Sequence, residues 1–274
     1  MKIVFSRKGF DSAAGGCPSP IINGVPVSLP IPTKMPSIDR YSDLPGDLAS
    51  LVSDLTNGRI TGDSYCHLDP DIDSKQKPRP SGWRGALGQV SAAASHLNNQ
   101  GIAPGDLFLF WGLFQPVEHS TKWRFSGLKE HRIFGWLQVD SIVKVGCGPA
   151  PILRNYPWLK GHPHLEPGWD QTNTLFVAKE RLDIDGVSGN LAGYGAFGSG
   201  YRLTAQKSKL PPLWEVPEWL NPALGGVGMS YNPVNRWSED GTLKSAARGQ
   251  EFVADIGRRE EVIPWLSKLF EISA

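Results

Sequence analysis

Cysteine is scarce and poorly placed for cross-linking. Cys17, Cys66 and Cys147 are odd in number, widely spaced and include no CxxC pair. That excludes a disulfide framework and the paired thiolates of a structural zinc site, and it predicts reduced thiols in a cytoplasmic protein. Long hydrophobic runs are missing too. The N-terminal apolar stretch is short and broken by Lys2 and Arg7, and nowhere do about 18 apolar residues follow one another. Neither a signal-peptide core nor a membrane span is expected. Charge of one sign is also lacking: 28 Lys+Arg face 27 Asp+Glu, for a net charge of +1. General basicity therefore does not point to nucleic acid, although a local basic face is compatible with this balance.

Tryptophan, glycine and proline are plentiful, at 10, 31 and 23 residues. That mixture predicts many short strands and long ordered loops rather than a helical bundle. A chain of 274 residues is long enough to bury roughly three quarters of its unfolded surface. With no internal repeat and no clean linker, one domain over 1–274 is expected. Its class is α+β, with a central, mostly antiparallel sheet, open or barrel-like, and few helices.

Lys2 to Phe5 reads as a short buried strand. Pro20 to Pro32 reads as a hairpin turning at Asn23-Gly24, with prolines consigning its second arm to an edge. A helix is expected over Gly46–Leu55, stopped by Asn57-Gly58, and an ordered polar loop over Thr61–Ser81. Leu87, Val90, Ala94 and Leu97 recur at helical spacing and predict a helix over Ala86–Asn99. Asp106–Phe114 and Arg132–Val145 are long apolar strands, the second bending near Asp140-Ser141. They are joined by a loop carrying Trp123 and Lys129. Shorter strands follow at Thr174–Ala178, Tyr201–Thr204 and Phe252–Ile256. A last helix over Arg259–Ile272 presents Val262, Leu266, Leu269 and Phe270 on one face.

The run after the first strand carries Ser6, Arg7, Lys8, Gly9, Asp11, Ser12, Gly15 and Gly16. Cations beside free backbone N–H groups are the means of holding phosphate. The run has neither the Gly-Lys-Ser/Thr of a Walker loop nor GxGxxG, and a surface turn with solvated cations is its alternative. Tyr65-Cys66-His67-Leu68-Asp69-Pro70-Asp71 gathers an imidazole, a thiol and two carboxylates. His67 and Asp69 share one side of an extended segment and are candidate active-site residues. Metal binding there is set behind a turn in which Asp69 and Asp71 cap backbone N–H groups, so no metal is assigned. Cys66 is a nucleophile only if its thiolate is stabilised. His162 and His164 in Gly-His-Pro-His read as loop decoration, since no HExxH or third ligand follows. Gln250 and Glu251 open an apolar strand, where Glu251 is a general acid or base, a ribose ligand, or a surface partner of Arg248. Among tryptophans in polar stretches, Trp123, Trp169 and Trp237, Trp123 is the base-stacking candidate.

The segments SRKGFDSAAGGCPSPI, CHLDPDI and GQEFV together resemble the third type of nucleotide modification associated domain, over essentially the whole chain. That family is found among phage and bacterial genes associated with the modification of DNA bases. The resemblance implies a nucleotide or DNA as partner, names no cofactor, and singles out Ser6, Arg7, Lys8, Asp11, Ser12, His67, Asp69, Gln250 and Glu251. In outline, GDLFLFWG followed by HRIFGWLQVD is similar to PUA and EVE barrels that read modified bases. Arg7 and Glu251 are similar in placement to the NAD-handling pair of DNA-acting ADP-ribosyltransferases. Three functions follow as expectations. One is a nucleotide- or DNA-modifying enzyme using Glu251, Asp69 and His67, with phosphate on the Arg7 to Gly16 loop. The others are a non-catalytic reader of modified nucleic acid and an NAD-consuming transferase.

Overall fold

The computed structural model describes residues 1–34, 37–148, 152–187 and 190–271. The strands are β1 Lys2–Arg7, β2 Ser19–Ile22, β3 Val25–Pro26, β4 Ile31–Pro32, β5 Cys66–His67, β6 Ala86–Gln89 and β7 Leu107–His119. They continue with β8 Trp123–Phe125, β9 Glu130–Lys144, β10 Thr174–Ala178, β11 Tyr194–Arg202, β12 Leu213–Glu215, β13 Thr242–Lys244 and β14 Glu251–Asp255. The α-helices are α1 Leu48–Leu55, α2 Ser91–Asn99, α3 Ile152–Asn155 and α4 Ile263–Glu271. The last expected helix thus starts later than Arg259, and its expected end, Ile272, lies outside the described residues.

Ten strands form one mixed sheet with the spine β14-β1-β7-β9-β10-β6. Only β7 runs parallel to its partners β1 and β2; the other pairings are antiparallel. The long β9 serves two neighbours in turn. Its first half pairs with β7 and β11, its second with β10, and the register shifts at Val177/Ala178 opposite Ser141 and Val139, at the expected bend.

Alternating side chains fill both faces, which is why these strands read as unbroken apolar runs. Ile3, Phe5, Leu107, Leu109, Trp111 and Trp136 pack under α4 and the Trp214 and Trp219 region. Val4, Phe108, Phe110, Leu137 and Val253 pack on the other face with Leu87 of β6 and Leu97 of α2. Trp111 and Trp136, 1% and 4% exposed, belong to one core cluster, as strand placement requires.

The fold settles one open reading of the sequence and corrects another. The sheet is strongly curled but not closed into a barrel: among the described residues no backbone ladder joins β6 to β14. Ala86–Gln89 is a strand, and the helix begins only at Ser91. Leu87 and Gly88 are claimed by the ladder with β10, and Ser91, at φ 52°, breaks the chain direction before the helix can propagate backwards.

Along β7 the parallel partner changes. β1 accompanies it to Trp111, opposite Arg7, and β2 resumes opposite Phe114. Between them the chain leaves the sheet at Lys8, whose N–H donates to the Trp111 carbonyl at 2.8 Å. A second apolar cluster, built from Phe10, Leu29, Tyr41, α1 and Cys66, supports the loop that follows.

Candidate functional site

A cleft of about 540 Å³ opens where β1 ends. It is lined by Arg7, Lys8, Asp11 and Ser12 from the first loop, by His67 and Asp69, by Gly88 and Gln89, by His164 and Trp169, and by Gly249 and Gln250. Segments from both ends of the chain therefore meet there, drawn together by the β1–β14 pairing. Ser6 lies opposite Glu251 in that ladder, and Arg7 N–H donates to the Gln250 carbonyl at 2.8 Å.

Glu251 lies under the cleft floor, 1% exposed. Its Oε1 accepts from Ser6 Oγ at 3.0 Å, Lys8 Nζ at 3.3 Å and Gln89 Nε2 at 2.5 Å. Its Oε2 is buried and has no hydrogen-bond partner among the described residues. Burial raises the Glu251 carboxyl above the usual range, against the pull of Lys8 and the Ser6 hydroxyl. Its charged partner is Lys8, not the exposed Arg248. Ser6, fully buried, has its hydroxyl committed to Glu251 and presents nothing to the cleft.

The Gly-rich loop is largely self-satisfied. Asp11 Oδ1 accepts from the N–H groups of Ala13 and Ala14 at 2.7 and 2.8 Å, and Asp11 Oδ2 pairs with Arg7 at 2.6 Å. A carboxylate of the chain thus sits where the sequence suggested an incoming phosphate. Gly15 and Gly16 are not among the cleft-lining residues. Gly15, at φ 79°, is needed because a Cβ there would come within 2.3 Å of the Phe10 ring.

His67 and Asp69 enter from β5 and the turn after it. Alternation along β5 sends Cys66 into the apolar cluster and His67 to the cleft. Burial pushes the Cys66 thiol up to about 12, so it is protonated and no nucleophile at neutral pH. Asp69 does not cap its own turn: its Oδ1 accepts from Gly88 N–H at 2.7 Å and lies 3.5 Å from His162 Nε2. Burial favours the neutral acid, but the surrounding imidazoles and Lys8 outweigh it and hold the Asp69 carboxyl below its usual range. Asp71 points elsewhere, into a bidentate pair with Arg79.

His162 and His164, read from sequence as loop decoration, are both 3% exposed and belong to this site. Pro163 starts a 3-10 turn whose entry His162 caps, its Nδ1 accepting from His164 N–H at 3.2 Å. His164 stacks on Trp169 at 4.4 Å with a 3° interplanar angle and faces His67 at 5.1 Å. The ring lies so close to β6 that a Cβ on residue 88 would fall 2.1 Å from it, so Gly88 is what admits His164. Burial lowers all three imidazoles, His67 to about 4 and His162 to about 3, leaving them neutral at pH 7. His67, Asp69 and His164 form a set of potential metal ligands.

The family model described as nucleotide modification associated domain 3 matches residues 2–255. The chain belongs to that family. No curated protein and no solved structure matches it. Among the described residues of this nucleotide modification associated domain, no helix is long and apolar enough to cross a membrane.

Trp123 is not among the residues lining the domain's cleft. Its N–H and indole N–H donate to Asp54 and Asp47, and its ring packs beside α1, which makes it a loop anchor. Trp237 is buried, its indole donating to the Asn232 carbonyl. Trp169 is the tryptophan at the cleft. Sequence reasoning also missed Gln89, hidden inside an apparent helix. The only signal for His164 was its spacing from His162, which by itself says nothing about which element the ring faces.

Proposed function

We propose that the domain binds a nucleotide, free or exposed in DNA, in this cleft and acts as an enzyme on its base. The observation that carries this reading is the convergence of Lys8, His67, Asp69 and His164 on one cavity in a chain of this family. Clustered, buried titratable groups in a cleft are the usual mark of chemistry rather than of surface reading. Trp169 and His67 offer an aromatic wall for a base, and Arg7, Lys8 and Ser12 a polar end for its sugar-phosphate. Asp69 is the candidate proton acceptor. Glu251, covered by Lys8 and Gln89, acts as a positioning residue that fixes both donors at the floor.

Charge narrows the ligand. Arg7 is tied to Asp11 and Lys8 to Glu251, so little net positive charge is left for a polyphosphate. A nucleoside, a monophosphate or one nucleotide of a DNA strand suits the cleft better than a triphosphate. Thermal-shift titration with nucleosides, nucleoside mono- and triphosphates, single-stranded DNA and NAD tests this. Stabilisation by the first group or by DNA is expected; a panel in which none of them shifts the transition refutes the reading. A response confined to NAD would instead support the transferase alternative built on Arg7 and Glu251.

A further inference from the structure

We propose that His67, Asp69 and His164 bind one divalent transition-metal ion at the wall of the cleft. Their ligand atoms all lie within 4.8 Å of one another. Three points at that separation are about 2.8 Å from their centre, so each atom moves inward by at most about 0.7 Å to reach a bond of about 2.1 Å.

Hydrogen bonds around two of the three side chains, His164 and Asp69, hold them in the form that a metal requires. Asn173 donates through Nδ2 to the His164 and Gly146 carbonyls, at 2.8 and 3.4 Å. Its Oδ1, 2.8 Å from His164 Nδ1, is therefore the acceptor, and Nδ1 carries the proton. The other nitrogen, Nε2, keeps its lone pair. An imidazole that donates one N–H to an oxygen and offers the other nitrogen is the arrangement seen behind metal-bound histidines. Asp69 is oriented by Gly88 N–H, which donates to its Oδ1 at 2.7 Å. His162 accepts from His164 N–H through Nδ1, so its proton is on Nε2, which lies 3.5 Å from Asp69 Oδ1 without forming a hydrogen bond.

Two imidazoles and one carboxylate, with the remaining positions open to the cleft, suit zinc or iron(II) and not the all-oxygen preference of magnesium or calcium. The proposal does not depend on the nucleotide reading, because these three side chains alone hold the ion.

The full-length protein, freed of metal by chelator dialysis, is titrated calorimetrically with zinc chloride, with anaerobic iron(II) sulfate and with magnesium chloride. One equivalent of zinc or iron(II) per chain is expected, and no stoichiometric magnesium. His67→Asn, Asp69→Asn and His164→Gln should each weaken binding at least 100-fold, and His162→Gln, which changes the cap of the turn that carries His164 and the ring beside Asp69, by 10- to 100-fold. Long-range ¹H–¹⁵N spectra of the wild type keep the test open should a variant fail to fold. Zinc should shift the ring nitrogens of His67 and His164 and leave those of His96, His119 and His131 in place. Absence of a one-to-one complex with either transition metal, or binding that leaves the His67 and His164 rings unperturbed, overturns the proposal.

Discussion

Gln89 and Glu251 stand at the two ends of the sheet's spine, one closing β6 and the other opening β14, yet the Gln89 amide donates to Glu251 Oε1. A curled, unclosed sheet therefore has its gap bridged by side chains, and the bridge runs beneath the cleft. Lys8 and Ser6 join at the same oxygen.

That shared oxygen sets the cost of removing Glu251. Glu251→Ala leaves the Lys8 ammonium, whose side chain is only 9% exposed, without its counter-charge. It also strands the Gln89 amide and the Ser6 hydroxyl. A loss of about 3–5 kcal/mol in urea unfolding is expected, as for breaking a buried ion pair. Glu251→Gln retains shape and an acceptor oxygen, so fold and most ligand binding should survive, while turnover of the bound nucleotide falls because the Lys8 ammonium at the cleft floor loses its counter-charge. Equal stability of wild type and Glu251→Ala would show the network to be idle.

Gly88→Ala tests how tightly the cleft wall is built. The added methyl would meet the His164 ring at 2.1 Å, and the ring is held from behind by Trp169 and Asn173. Overpacking of this kind costs about 1–3 kcal/mol. The ring must also turn away, so ligand affinity should fall by more than stability alone explains. Calorimetric unfolding and ligand titration of the same variant separate the two; unchanged values in both would mean that the wall gives freely.

The sequence disclosed the sheet better than the site's wall, and the reason is physical. Apolar runs such as Leu107–Phe114 and Ile133–Val139 announce strands buried on both faces, and Asn23-Gly24 announces its hairpin through two residues that tolerate positive φ. Ala86–Gln89 defeated the periodicity, because Leu87 and Val90, ahead of the true helix, continue its spacing by chance. The cleft residues of the N-terminal loop, His67, Asp69 and the Gln250-Glu251 pair were visible as local clusters. Gln89, His164 and Trp169 were not, since their roles come from pairings between β6, β10 and the turn after α3 that no local pattern encodes. The internal bonding of the N-terminal loop was hidden for a related reason: Asp11 folds back onto the N–H groups of Ala13 and Ala14 that looked free in the sequence.

Binding of a nucleotide should depend on salt only weakly. With Arg7 held by Asp11 and Lys8 by Glu251, about one phosphate can be neutralised, so log affinity for a single strand against log salt should fall with a slope of about −0.7. Arg7→Ala should flatten that slope while changing stability by under about 0.5 kcal/mol, because Arg7 is partly exposed. Fluorescence anisotropy of a labelled single-stranded oligonucleotide from 50 to 300 mM salt (a Debye length shortened about 2.4-fold) measures the slopes, and urea unfolding of the two proteins measures the stability difference. A wild-type slope of several units would mean an extended basic track that the cleft does not contain.

Acid should destabilise the fold from near neutral pH downwards, and His131 provides a clean probe away from the cleft's histidines. Its ring is buried between Trp111 and Trp214, and Trp214 Nε1 donates to its Nδ1 at 2.9 Å. Burial, aided by the charge of Arg7, lowers it to about 3. The unfolded chain takes up that proton near pH 6.5, whereas the folded chain refuses it until about pH 3. Stability linked to His131 is therefore fully present above pH 6.5 and is lost progressively as pH falls towards 3. His131→Gln retains an acceptor for Trp214 but cannot titrate. Its unfolding free energy, from urea titrations, should decline less steeply than that of the wild type between pH 6.5 and 4, by up to about 1.4 kcal/mol per pH unit. Glu251 and the remaining buried histidines titrate in both proteins and cancel in the comparison. Parallel profiles would mean that the folded protein accepts a proton on His131 as readily as the unfolded one, which a ring enclosed by two indoles and faced by Arg7 does not permit.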